Sequence, residues 1–95
     1  MWVIIVLRVS FMDYSEIYIN RIRTLCKKRG ITINKLSTMS GITQSTLNNI
    51  MWHTKNPRVK TLHKIANALN MTLAEFLDFD ELNNYSFDDE EDDEV

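Results

Sequence analysis

The sequence predicts an all-α fold, and three observations predict it. Apolar residues recur three and four positions apart through the middle of the chain, as in Ile19, Ile22 and Leu25, or Leu62, Ile65, Ala66 and Leu69. Cap-forming residues punctuate that pattern. Ser15, Thr32, Thr43 and Thr72 stand where helices would begin, and Gly30, Gly41 and Asn70 where they would end. The single β-rich run, MWVIIVLRVSF at residues 1–11, has no second strand-like run to pair with. With 95 residues, 44% of them hydrophobic, there is material for one folded domain and no more.

Five short helices follow from this punctuation. The first is expected over residues 14–29, capped by Ser15. Arg21, Arg23, Lys27, Lys28 and Arg29 lie on its remaining surface, and the last three favour the negative end of its dipole. Gly30 supplies the left-handed exit. Thr32 caps a second helix over residues 33–40, with Leu36, Ser37 and Ser40 inward, and Gly41 ends it. Ile42 is an apolar plug. Thr43 caps a third helix over residues 44–51, whose inward side chains are Leu47 and Ile50. Residues 52–58 read as a polar loop holding Pro57. The fourth helix is expected over residues 59–69, with Val59, Leu62, Ile65, Ala66 and Leu69 on one face and Asn70 as its left-handed exit. Thr72 caps a last helix ending at Leu77, anchored by Leu73 and Phe76. From Asp78 the chain turns polar and ends in a disordered acidic stretch.

The domain organisation is therefore an N-terminal extension (residues 1–12), a helical domain (13–79) and an acidic tail (80–95). Three readings of the apolar extension stand together. It packs as an arm on the domain, pairs with its twin in a dimer, or precedes the natural start at Met12. Its six-residue apolar core, residues 2–7, is far shorter than the roughly 20 residues of a spanning helix. It also lacks a signal peptide's basic region and cleavage site. The lone cysteine, Cys26, excludes an internal disulfide, fits a reducing compartment and reads as a packing residue. A cytoplasmic location is expected.

Charge is sharply partitioned. Lys or Arg occupies ten positions between Ile17 and Ala74, where no acid occurs, while eleven acids and no base follow from Glu75 onward. The net charge of −2 conceals a basic domain and an acidic end. A basic field attracts polyanions, so nucleic acid is the first partner to consider. The seven consecutive acids from Asp88 to Glu94 would either solvate the chain end or compete with DNA for the basic face.

The element that would read a nucleic acid is the helix–Gly–helix unit spanning residues 32–51. Two short helices joined by a tight turn present the N-terminal side chains of the second one outward. Those side chains are Thr43, Gln44, Ser45, Asn48 and Asn49, none apolar and none charged. Gln and Asn make paired hydrogen bonds to adenine N6 and N7 in the major groove, and Ser and Thr serve several base edges. Helix capping alone would account for Thr43 and Ser45, but not for Gln44, Asn48 and Asn49.

The runs RIRTLCKKRGITINKLSTMSGITQSTLNNI (residues 21–50) and NPRVKTLHKIANALNMTLAEFL (residues 56–77) resemble the helix-turn-helix family of phage Cro and lambda-type repressors. The resemblance covers more than half of the chain. It is specific because Arg-Ile-Arg before Gly30, Leu36, Gly41, Leu47, the loop proline and Lys64-Ile65-Ala66-x-Ala68-Leu69 agree in one register. It implies a compact five-helix, lambda-repressor-like DNA-binding domain with residues 44–51 as recognition helix. Thr43, Gln44, Ser45, Asn48 and Asn49 then fall at or beside positions that face bases. Thr32, Asn34, Lys35, Thr46, Lys55, Asn56, Arg58 and Lys60 fall where the sugar-phosphate backbone is gripped. Ile33 departs from the pattern, standing where a polar residue is common. Trp52 and His53 stand where a Gly-containing turn is usual; Trp52 reads as a packing lid on the recognition helix, with base stacking as the alternative.

The implied function is a sequence-specific double-stranded DNA-binding regulator of transcription, a repressor of phage-like type acting by operator occupancy. A homodimer is compatible with the resemblance; no membrane, small-molecule ligand or cofactor is expected. The competing class is an antitoxin-like or adaptor interaction module, with Trp2, Ile4, Val6, Ile33, Met39 and Trp52 as its contact surface. The residues argue against an enzyme. His53 and His63 do not have metal-ligand spacing, no nucleophile elbow occurs, and the acids lie outside the basic core.

Overall fold

The computed structural model describes residues 14–53 and 56–87, and among them it is helical throughout, with no strand. Six helices follow in order: α1 (Tyr14–Arg29), α2 (Ile33–Ser40), α3 (Gln44–His53), α4 (Val59–Ala68), α5 (Leu73–Leu77) and α6 (Asp80–Asn83). α2 packs on α1, α3 and α4, and α4 packs in turn on α5. The side chains most completely removed from water are Ile17, Ile22, Leu36, Leu47, Ile65, Leu69 and Phe76. They draw from five of the helical segments, so a single apolar core orients the whole domain.

Local chemistry accounts for the helix ends. At the end of α1 the Ile31 N–H donates to the Cys26 carbonyl (3.0 Å) and the Gly30 N–H to that of Lys27 (3.1 Å), with Gly30 at φ 67°. This is the Schellman arrangement, which needs a left-handed residue. α4 ends the same way with Asn70 in place of glycine, at φ 60°; Met71 N–H donates to Ala66 (2.9 Å) and Asn70 N–H to Asn67 (3.0 Å). Thr72 and Glu75 form a reciprocal capping box at the start of α5, with bonds of 3.0 and 2.9 Å.

Several sequence expectations are corrected. Ser15 is not the cap of α1; the helix already includes Tyr14, and Ser15 is a buried helical residue. α3 runs on through Trp52 and His53, which were expected in the loop. Val59 does not join the inner face of α4; it is 66% exposed, because the helix begins there and the core starts one turn later at Leu62. Regular structure also continues beyond Leu77. Phe79 is buried, and α6 carries Leu82 against the core. Tyr85 and Phe87 then close on Tyr14, with ring centroids 5.0 and 5.5 Å from it.

Arg21 was placed on the solvent surface and belongs instead to the fold. Its Nε donates to the Phe76 carbonyl and its Nη2 to that of Glu75, both at 3.0 Å, and its guanidinium lies 4.9 Å from the Phe79 ring centroid. It thus ties α1 to the carbonyl end of α5. Cys26 is a buried packing residue, and burial pushes its thiol pKa up, away from the reactive thiolate. The N-terminal extension, including Trp2, Ile4 and Val6, lies outside the described residues, as do Lys55 and the acids from Asp88 to Glu94.

Candidate nucleic-acid interface

The turn between α2 and α3 is built by Ser37 and Ser40 of α2 and by Gly41, its C-cap. The buried Ser37 hydroxyl donates to the Ile42 carbonyl at 2.6 Å, and the Gly41 N–H donates to the Ser37 carbonyl at 3.1 Å with φ 74°. Ser40 adds longer contacts: its hydroxyl donates to the Ser37 carbonyl (3.4 Å) and accepts from the Ile42 N–H (3.3 Å). Ile42 itself is buried, so the turn is pinned both by hydrogen bonds and by packing. Leu47, Ile50 and Met51 then seat α3 on the core. Seating three residues on one side dictates what the other side shows.

That other side carries Gln44, Ser45, Asn48 and Asn49, all exposed. Ser45, Asn48, Asn49 and Trp52 follow one another at three- and four-residue steps and so form one outward stripe, with Gln44 at its edge. Thr43 is placed differently. Its hydroxyl accepts from the Thr46 N–H (3.1 Å) and donates to the Thr46 hydroxyl (2.9 Å), so its hydrogen-bonding capacity is largely spent capping α3. Thr46 is exposed next to it.

Apart from Thr46, the described residues expected at the sugar-phosphate backbone lie at the starts of α2 and α4. Thr32 caps α2 by accepting from the Lys35 N–H at 3.0 Å, which leaves its own hydroxyl proton to donate outward. Asn34 and Lys35 are exposed in the first turn of α2, while Ile33 is half-buried and packs on the core. Packing explains why an apolar residue stands there. Asn56, Arg58 and Lys60 are exposed around the start of α4, where Arg58 is the N-cap residue.

One relation escaped sequence reading. Trp52 is neither a lid nor buried: it is 61% exposed, and the Arg23 guanidinium of α1 lies 4.8 Å from its ring centroid. The only sequence signal was its spacing from Asn48 and Asn49, legible once α3 extends to His53. Of the apolar contact surface of the competing class, Ile33 is engaged with the core, while Met39 and Trp52, the latter against Arg23, are exposed among the described residues. Among those residues no group of three or more His, Cys, Asp or Glu could hold a metal ion, and no helix is long and apolar enough to cross a membrane.

Comparison with known proteins points to one family. Residues 21–81 match the Cro/C1-type HTH DNA-binding domain family. A Bacillus subtilis (strain 168) protein named as an SPbeta prophage-derived uncharacterized HTH-type transcriptional regulator, YopO, is 43% identical over 58 residues. That alignment covers 61% of this chain and 83% of the relative. No solved structure matches the chain significantly.

Proposed function

Because the chain belongs to the Cro/C1-type helix-turn-helix DNA-binding family, we propose that it is a sequence-specific transcriptional repressor that occupies an operator on double-stranded DNA. The observation that carries this reading is the outward stripe of α3, an exposed amide-and-hydroxyl face on a helix held by the Ser37–Ile42 hydrogen bond. Gln44, Ser45, Asn48 and Asn49 read base edges in the major groove, and Thr43 contributes through the helix start it caps. Thr32, Asn34, Lys35, Thr46, Lys55, Asn56, Arg58 and Lys60 hold the sugar-phosphate backbone and set the register. Repression is steric, since an occupied operator denies the polymerase its path. The likeness to a relative named as an HTH-type transcriptional regulator supports the regulatory part of this reading. We include in the proposal a cytoplasmic location and a homodimer on half-sites about 34 Å apart.

Selection of bound duplexes from a random pool tests the reading. The expected result is an enriched sequence containing adenines, arranged as two inverted halves. A pool that emerges without enrichment would overturn the proposal. The salt response gives a second measure: binding that neutralises phosphates weakens with salt at a log–log slope of about −0.9 per phosphate. Association through apolar surface alone would stay nearly flat.

A further inference from the structure

We propose that Arg23 grips a DNA phosphate at the far end of the recognition helix and that Trp52 is the platform that positions it. This rests on the DNA-binding reading above and deepens it. Three observations carry it. First, Trp52 continues the outward stripe of α3 one turn beyond Asn48 and Asn49, yet it is 61% exposed. A large aromatic ring left in water on a reading face needs a reason that core packing does not supply.

Second, the Arg23 guanidinium lies over that ring at 4.8 Å. A guanidinium that meets an aromatic ring through its flat face keeps its in-plane N–H groups available, the edge that matches a phosphate. Third, Arg23 is spared where Arg21 is spent. Two residues earlier on α1, Arg21 gives its N–H groups to the carbonyls of Glu75 and Phe76. Arg23 is exposed, and no acid occurs between Ile17 and Ala74, the span that holds both Arg23 and Trp52.

Position supports the same assignment. From Ser45 to Trp52 the helix rises about 10 Å, at 1.5 Å per residue. With the N-terminal part of α3 on base edges, a residue that far along reaches the wall of a major groove about 12 Å wide. The wall is phosphate. Trp52 is therefore a positioning residue, and the contact belongs to Arg23.

Titrations of the full chain against the selected duplex over a series of salt concentrations test this. Arg23→Gln should weaken binding several-fold and make the salt slope shallower by about 0.9, one phosphate's worth. Trp52→Ala should shift the slope in the same direction, Trp52→Phe should stay near the parent, and Trp52→Ala added to Arg23→Gln should change nothing further. An unchanged slope in Arg23→Gln would overturn the proposal. So would a Trp52→Ala loss that is equally large with and without Arg23, since Trp52 would then touch DNA itself. If thermal unfolding shows Trp52→Ala to be misfolded, Arg23→Gln and Trp52→Phe carry the same decision. Failure of the parent chain to bind any duplex would sink the DNA-binding reading as well, whereas parent binding with an unaltered Arg23→Gln slope sinks this inference alone.

Discussion

Ser37→Ala is the sharpest perturbation of the turn that aims α3. The Ser37 side chain is buried, and its hydroxyl reaches the Ile42 carbonyl at 2.6 Å. Alanine removes the donor and leaves that carbonyl inside the turn without it. Stranding a buried acceptor costs about 1–3 kcal/mol, and the short distance and low exposure argue for about 2. In a domain of this size each kcal/mol moves the melting temperature by about 4–8 °C, so the expected drop is roughly 8–16 °C. Ser40→Ala is the internal control. Its contacts at 3.3 and 3.4 Å are long, and its loss should cost under about 1 kcal/mol. Thermal unfolding followed by far-UV circular dichroism reads both. A Ser37→Ala melting temperature within about 2 °C of the parent, or a larger loss for Ser40→Ala, would refute the view that this hydroxyl locks the turn.

The remaining expectations concern the reading face, the α1–α5 tie, the alkaline limb and the tail. Gln44→Ala combined with Asn49→Ala should weaken specific binding by about 2–6 kcal/mol, at 1–3 per paired contact, while sparing non-specific binding. A parallel fall of both in competition assays would remove these residues from the reading role. Arg21→Ala should cost about 2–3 kcal/mol in denaturant unfolding, through two lost bonds to carbonyls and the Phe79 contact. Arg21→Lys should recover little of it because the fork is gone; a loss near zero would return Arg21 to the surface class. Burial, then the Tyr14 hydroxyl at 2.7 Å, raises the Tyr18 phenol above the ordinary tyrosine value. The folded chain then keeps a proton that the unfolded chain releases near pH 10, so this stabilisation is complete below about pH 10 and fades above it. Tyr18→Phe should flatten that alkaline decline in pH-dependent unfolding, and an equally steep decline would contradict the assignment. Removing residues 88–95 takes the formal net charge from −2 to +5 and should strengthen low-salt binding to mixed-sequence duplex; equal affinity would show that the tail's charge is not felt at the interface.

What was legible in the sequence was legible because it is short-range. Thr32 meets Lys35, Thr72 meets Glu75, and Asn70 needs only its own backbone to turn left-handed. The stripe on α3 is equally local, since Leu47 and Ile50 on one side decide what the other side shows. The misses share the opposite character. Arg21 reaches Phe76 across 55 positions, and its fixed guanidinium looks, in sequence, like any surface charge. Trp52 was assigned to a loop because no glycine or cap marks the true end of α3. Its partner Arg23 lies on another helix. Val59 satisfied helical spacing, but the core begins one turn later. The segment after Leu77 is acidic enough to look unfoldable, yet Phe79, Leu82 and Tyr85 hold it against α1 and the core. Polar composition hid three well-spaced apolar anchors.

The structure also divides the basic residues by whether the fold has already used them, which the charge count cannot do. Arg21 is consumed by carbonyls of α5, whereas Arg23, Lys27, Lys28, Arg29, Lys35, Arg58 and Lys60 stand exposed. On the proposed reading, the two sets of interface groups fail differently on the wrong DNA. A lysine or arginine finds a phosphate on any sequence, so it supplies attraction without discrimination. An amide facing a mismatched base edge loses its water without gaining a partner, and that cost is what a sequence preference consists of. A charged residue in the stripe would blunt this by reaching for the nearest phosphate instead. The absence of any acid or base among Gln44, Ser45, Asn48 and Asn49 is therefore what lets the surrounding positive field be strong without making the reading face indifferent to sequence.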